Sequence, residues 1–327
     1  MRTTLTAAAL VASIVAPSAA FAQRFPFERT LEAAGTDTLD VSTVRGKIDV
    51  LAGQPGQIVI EGAATVRVGI TVPANAVELA KRVAASPPIE QTGSVIRLTI
   101  PSDQEARRAV TINYRVHVPP GTTVRANSES GETSIHGTTA AVNVRTQSGA
   151  ITVGQLSGPV EIGTGSGAVA AEDIAGPLSV KTASSAFNGT GLGPSLTVRT
   201  ESGSVQGAFA GRGDADVQTG SSAVTLRGVR GGLTVKTQSG QVTLAGTPLR
   251  DWTATTGSSS VKLELESGSG FRLDAASRSG KVTVNGVTPA IATTTHSAVG
   301  TIGQGDATVR IRTGSGAIRV EVAGLKD

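Results

Sequence analysis

Hydroxyl groups are the chemically competent side chains that recur most regularly in this sequence. Serines stand at Ser130, Ser148, Ser166, Ser184, Ser202, Ser221, Ser239, Ser258, Ser279, Ser297 and Ser315, spaced by 18 to 21 residues. Two residues before each stands a second hydroxyl: Ser128, Thr146, Thr164, Thr182, Thr200, Thr219, Thr237, Thr256, Ser277, Thr295 and Thr313. Nucleophilic catalysis needs one activated hydroxyl beside a base, and eleven equivalents fit a structural ladder better. Stacked in register, Thr146 to Thr237 and Ser148 to Ser239 can bond their counterparts one repeat away, or a corner backbone group.

The other chemistry is thinner. His117, His136 and His296 are the only imidazoles, and none has a partner at ligand spacing, so neither a metal site nor a histidine base is expected. There is no cysteine, which excludes disulfides, thiolate ligands and cysteine nucleophiles together. Glycine runs at 163–167 and 189–193 look like phosphate loops, but they lack the lysine and the following helix. No cofactor is expected. One charged pattern stands out: Arg145, Lys181, Arg199, Lys236 and Arg312 occupy the same outward place in their repeats. Together they predict a broken basic stripe toward anionic polysaccharide or lipid headgroups. Gly163, Gln218, Thr255, Ala276 and Thr294 interrupt it, Glu129 and Glu201 lie close by, and a merely solvated face is the stronger competing reading. Arg212-Gly213-Asp214 matches an integrin-type tripeptide, a match that chance readily supplies in a glycine-rich chain.

These side chains must be carried by strands. One repeat reads Val144-Arg145-Thr146-Gln147-Ser148-Gly149-Ala150-Ile151-Thr152-Val153. Apolar and polar residues alternate on both sides of a Ser-Gly corner, and a second turn follows at Leu156-Ser157-Gly158-Pro159, so one repeat is two short strands and two turns. Val144, Thr146 and Ser148 are expected on one side, Arg145 and Gln147 on the other. A single repeat cannot bury its apolar face alone, whereas about eleven stacked coils of 18 residues form a continuous core in an all-β solenoid of roughly 50 Å. Residues 124–327 are assigned to this solenoid and 23–123 to a β-rich N-terminal cap, with one short helix over 75–85. Strands are predicted at 95–100 and 110–118. No cap is visible after the last repeat, which makes the C-terminal coil a candidate surface for self-association.

Residues 1–22 have the features of a secretory signal: Arg2, an apolar run over 5–15, Pro17, and Ala20-Phe21-Ala22. Without Arg2 the balance is 28 basic against 25 acidic residues, a net charge of +3 that favours no nucleic acid. Tyr114 and Trp252 are almost the whole supply of large aromatic rings beside six Phe, which weakens single-strand nucleic-acid binding and sugar stacking.

The segment Tyr114-Arg115-Val116-His117-Val118-Pro119-Pro120-Gly121, running into the Ser-Gly repeats, resembles a bacterial β-strand-repeat family of unknown function labelled "putative adhesin". The resemblance implies an envelope location and a solenoid-like fold, and it brings no functional residues. Together these readings predict an exported, non-catalytic envelope protein of periplasm or cell surface, with no transmembrane anchor. Its expected partner is an envelope or surface ligand, polysaccharide or protein. A periplasmic polymer-forming scaffold is the alternative, and a solenoid enzyme acting on polysaccharide is a weaker one.

Overall fold

The computed structural model describes residues 23–33, 37–67, 73–266, 270–286 and 291–323. The proposed signal segment, 1–22, lies outside them. The repeats form strands as their alternation requires. In Val142–Thr146 the first, third and fifth residues are buried and Arg145 is exposed. In Ile151–Leu156 the core side chains are Ile151, Val153 and Leu156. Leu156 faces inward despite its odd spacing from Val153 because Gln155 adopts a left-handed backbone at φ 54° and drops out of the pairing between Gly154 and Leu156. Asp173 and Gly191 repeat that conformation one and two coils on, at φ 52° and 63°. This left-handed residue bulges the strand just before the second corner.

Each coil gives one strand to each of two long sheets. Sheet B, with 15 strands among the described residues, carries Val142–Thr146, and sheet A, with 14, carries Ile151–Leu156. Through the regular part, successive coils pair in parallel and in register: Val142 faces Val160, which faces Leu178, which faces Leu196. The buried rows of valine, leucine and isoleucine from both sheets merge into one core. Trp252 lies between Leu233 and Val309 in this core, and its Nε1 donates to the Gly231 carbonyl at 2.9 Å. Tyr114 is buried as well, edge-on to Phe27 at 6.2 Å, and burial pushes its phenol pKa upward.

The ends depart from sequence order. At the C-terminal end the last coil, Thr308–Thr313 and Ile318–Ala323, pairs on one side with Trp252–Thr256 and Val261–Glu266. On its other side it pairs with the preceding coil, Phe271–Ser277 and Val282–Asn285. The last coil in sequence is therefore one layer inside the stack. The segment around Ser297 forms no coil: Ser297–Ile302 runs antiparallel to Phe271–Ser277 and to Ile291–Thr293. These antiparallel strands close sheet B. The expectation of an open end formed by the last coil is corrected: coil 308–323 is interior and has no free sheet edge for self-association.

The N-terminal end uses the same device. Thr38–Thr43 and Ile48–Ala52 join the parallel ladder next to Thr123–Ser128 and Thr133–His136. The later strands Val95–Leu98 and Val110–Val118 stack outside them. Antiparallel strands Gln57–Val66 and Arg24–Glu32 then finish sheet A, and Ile89–Thr92 finishes sheet B. Helix α1, Ala76–Ala85, packs Leu79, Ala80 and Val83 into the cap, at the place the sequence predicts. A second helix, α2 (Gln104–Ala109), was not foreseen; Asp103 caps it by accepting from the Glu105 amide at 2.8 Å. No helix among the described residues is long and apolar enough to cross a membrane.

Candidate functional site

Parallel pairing in register turns a sequence repeat into a spatial row, and the outward row of sheet B is the site this fold builds. In order along the stack the row reads Asn127, Arg145, Gly163, Lys181, Arg199, Gln218, Lys236, Thr255, Arg312 and Ala276. All five cations singled out from the sequence lie in it. The inserted last coil brings Arg312 to the rung after Thr255, so two rungs separate it from Lys236; the order of the chain places it four away. At about 4.8 Å per rung, Arg145 and Arg312 are roughly 34 Å apart. An open groove of about 840 Å³ follows the row over the coils from Thr164 to Thr255, lined by Lys181, Arg199, Gln218, Lys236 and Gln238, with one carboxylate, Glu201, among them.

The five cations are not equivalent. Arg199 donates to the Asp216 carboxylate at 2.7 Å and to the Asp216 carbonyl at 3.2 Å. Arg312 does the same with Asp274, at 2.5 Å to the carboxylate and 2.8 Å to the carbonyl, and Arg310 approaches that carboxylate at 3.5 Å. The Arg312 hydrogen bond holds the Asp274 carboxyl below the usual carboxylate range, against the opposing effect of burial. Arg145, Lys181 and Lys236 are exposed and make no ion pair or side-chain hydrogen bond among the described residues. Their charge is available to a ligand. The neighbouring outward row contains Glu161, Asp216 and Asp274, of which the last two are taken up by the arginines and Glu161 accepts from Asn143 at 2.9 Å.

The hydroxyl pairs separate into two environments. Thr146, Thr164, Thr182, Thr200, Thr219 and Thr237 are buried at the end of their strands. Thr146 Oγ1 accepts from the Gly149 amide at 2.9 Å, and Thr164, Thr200 and Thr237 repeat that bond to Gly167, Gly203 and Gly240 at 2.9 to 3.0 Å. Several also reach a carbonyl of the coil below, such as Thr200 to Ala183 at 3.4 Å. Ser148, Ser166, Ser184, Ser202, Ser221 and Ser239 are exposed. The expectation that Ser148 shares a face with Val144 and Thr146 is corrected, because the chain bends between Thr146 and Gly149 and the alternation ends there.

The bend is crowded. A Cβ built on Gly149 would lie 2.0 Å from the Gly131 carbonyl oxygen, and on Gly203 it would lie 1.6 Å from that of Ser185. Serine nevertheless fills this place at Ser185, Ser222 and Ser259, and there the threonine bond weakens. It is 3.2 Å at Ser185 and 3.4 Å at Ser259, and Thr219 Oγ1, below Ser222, has no partner. In spatial order, glycine and serine alternate from Gly167 to Gly316. The insertion of the last coil completes this pattern.

Other sequence candidates are dispersed or engaged. Asp214 of the Arg212-Gly213-Asp214 triplet is ion-paired with Arg250 and accepts from the Gly232 amide at 2.7 Å, and Gly213 is buried, so the tripeptide is part of a turn. His296 Nδ1 lies 2.8 Å from the Gly280 carbonyl. No group of three or more His, Cys, Asp or Glu among the described residues is arranged to hold a metal ion. Sequence reading missed the Arg310, Asp274 and Arg312 cluster, since its partners come from coils whose spatial order is reversed.

Comparison with known proteins places this geometry in a family. Two solved structures align over most of the chain. A "putative cell adhesion protein" from Clostridium sporogenes is 9% identical, with 91% of this chain and 99% of that one covered and a TM-score of 0.18. A "putative adhesin" from Parabacteroides distasonis is 10% identical, with 91% and 97% covered and a TM-score of 0.33. These superpositions are too poor to transfer anything to this chain. No curated protein matches. The Toastrack DUF4097 family model matches residues 68–321, well over half of the sequence, and the chain belongs to that family.

Proposed function

We propose that this protein is an exported, non-catalytic envelope protein that binds anionic surface material along the outward face of sheet B. In this reading residues 1–22 direct export, 23–123 cap the stack and 124–327 present the binding face. The observation that carries it is the ten-residue row with five cations and no carboxylate, three of the cations exposed and unpaired. Acidic catalysis on this face has little support, because Asp216 and Asp274 are ion-paired with Arg199 and Arg312. An end-to-end scaffold has less support too, since antiparallel strands finish both sheets at the N-terminal end and sheet B at the C-terminal end, leaving, among the described residues, the parallel edge of Val282–Asn285 in sheet A.

The test combines location and binding. Protease added to intact cells should remove the protein while a periplasmic control survives. Purified protein should co-sediment with isolated envelope at low salt and be released at high salt. Lys181→Gln with Lys236→Gln should abolish the sedimentation without changing the circular dichroism spectrum. Sedimentation unaffected by both the double substitution and salt would overturn the reading.

A further inference from the structure

One corner of the N-terminal cap departs from the repeat in both chemistry and geometry. In Thr43-Val44-Arg45-Gly46 an arginine stands in the place that Ser130 and Ser148 take in the next two coils. The amides of this corner donate toward the N-terminal end of the stack. Ser148 donates to the Glu129 carbonyl at 3.0 Å, and Glu129 and Ser130 to the Thr43 and Val44 carbonyls at 3.3 and 2.9 Å. One coil further out, the in-register stacking turns the amides of Val44 and Arg45 the same way, and they have no acceptor among the described residues. The outermost coil supplies none because it detours. Its strands are Val95–Leu98 and Val110–Val118, so residues 99–109, α2 included, take the place of a short corner such as 147–150. The chain returns to the stack only at Gly46, where a Cβ would lie 1.7 Å from the Ile112 carbonyl oxygen.

The detour opens a cavity of about 30 Å³ against this corner, and Val44, Arg45, Arg67, Ile100 and Arg107 are among the residues that line it. Three guanidinium groups and no carboxylate belong to the lining. Two of them are held in place by backbone: Arg67 donates to the Arg108 carbonyl at 2.8 Å and Arg107 to the Ser102 carbonyl at 3.1 Å. Each keeps further N–H donors. Arg45 makes no ion pair or side-chain hydrogen bond among the described residues. From the two open amides and the three guanidiniums we infer that this cavity binds a phosphate group. Successive amides at a turn form an anion-binding nest, and the arginine fork matches phosphate oxygens in pairs. A phosphomonoester carries nearly two negative charges at about pH 7, which suits three cations better than a carboxylate does. At about 10–15 Å³ per water, the cavity seats one compact group at its mouth and does not admit a sugar ring or a base. Ile100 is exposed and Pro101 lines the cavity beside it, an apolar lip that fits a phosphate carried on a lipid as well as the free anion. The site lies beyond the groove of sheet B: Ser42, another lining residue, is the rung before Asn127 and four rungs, roughly 19 Å, from Lys181.

The experiment is calorimetry of the full protein with inorganic phosphate, and with acetate as the control anion, at low salt and neutral pH. Phosphate should bind at one site, and acetate at least about tenfold more weakly. Arg45→Ser installs the residue that the other coils carry at this exposed position, and Arg107→Gln keeps a good helix former in α2. Each should weaken phosphate binding at least about tenfold with an unchanged circular dichroism spectrum. Lys181→Gln with Lys236→Gln is more than a Debye length away and should leave phosphate affinity within about twofold. Flotation of that double variant with phosphatidylcholine vesicles, with and without phosphatidic acid, separates the two sources of phosphate. Recruitment by phosphatidic acid that a further Arg45→Ser removes supports the site as one for a lipid headgroup; phosphate binding without recruitment supports it as one for the free anion. No phosphate binding together with no preference for phosphatidic acid would overturn the inference, as would acetate binding as tightly as phosphate. Phosphate affinity unchanged by both arginine substitutions would overturn it too, and so would affinity lost on removing Lys181 and Lys236 but kept in Arg45→Ser.

Discussion

Two glycines of one coil, four residues apart, should respond oppositely to the same substitution. Gly167 sits at the corner, where a built Cβ lies 1.8 Å from the Gly149 carbonyl oxygen, 2.6 Å from its carbon and 3.1 Å from Thr164 Oγ1. An ordinary carbon to oxygen contact is about 3.3 Å, so Gly167→Ala must open the stack locally by roughly 1.5 Å. The bonds at risk are Gly167 N to Thr164 Oγ1 at 3.0 Å, Ser166 N to Gln147 O at 2.9 Å and Gly165 N to Gln147 O at 3.1 Å. The serine coils show what yields first, since the threonine bond is stretched or lost there. Losing that bond costs about 1 kcal/mol. Overpacking adds about 1 to 3 kcal/mol. Gly167→Ala should therefore destabilise by about 2 to 4 kcal/mol. Gly163→Ala meets open space and should stabilise by about 0.5 kcal/mol through the unfolded chain. Urea denaturation followed by circular dichroism compares the two. Amide exchange at Ser166 and Gly167 gives a local reading if the stack unfolds in parts. Equal stability of the two variants within about 0.5 kcal/mol would refute corner crowding as the reason for glycine.

Three other perturbations probe the corners and the ends. Gln155→Gly should stabilise by about 1 kcal/mol, because a left-handed backbone costs most side chains that much, and a thermal melt would show it. Asp274 has a folded pKa below its unfolded value, so the stability it contributes is present above the usual carboxylate value near 4 and is lost as pH falls through the depressed one. Asp274→Asn should therefore lower stability at neutral pH by about 1 kcal/mol or less, given its partial exposure, and flatten the acid limb of the stability profile seen in urea titrations between pH 5 and pH 2 or so. Deleting residues 303–327 removes the partner of Trp252 and the neighbour of coil 271–285, so the Trp252 fluorescence should shift to the red and the protein should self-associate through the uncovered strands. A monomer with unchanged fluorescence would contradict the insertion.

Much of the fold is legible in the residues because period-two alternation and an 18-residue recurrence constrain a chain locally. Val144, Thr146 and Arg145 take the inward and outward positions that alternation dictates. Ser148 does not, since alternation holds only while the backbone stays extended and the bend before Gly149 turns the serine outward. Helix α2 escaped for a related reason: six residues, Gln104–Ala109, are too few to display a helical stripe, and Asp103 was the only signal. The order of coils at the two ends is not legible. Coils 271–285 and 308–323 carry equivalent patterns, and which one pairs with Trp252–Thr256 is decided by tertiary fit and by the antiparallel strand Ser297–Ile302, not by either coil's own sequence.

That undetermined order is also what gives the site its shape. With the coils stacked in chain order, Arg312 would stand four rungs from Lys236, beyond Thr255, Ala276 and Thr294. Arg312 would then stand roughly 19 Å from Lys236, set apart from the rest of the basic row. Insertion places Arg312 two rungs away and sets Asp274 beside it, so the cation nearest the end of the row is fixed in orientation by a carboxylate from the outermost coil. The same step brings Gly316 over Ser259, where the crowded corner has no room for a second Cβ. Closing the stack and completing the charged track are thus one structural event. A variant that disturbs coil 308–323 should lose stability and ligand affinity together, whereas the Lys181 and Lys236 substitutions should lose affinity alone.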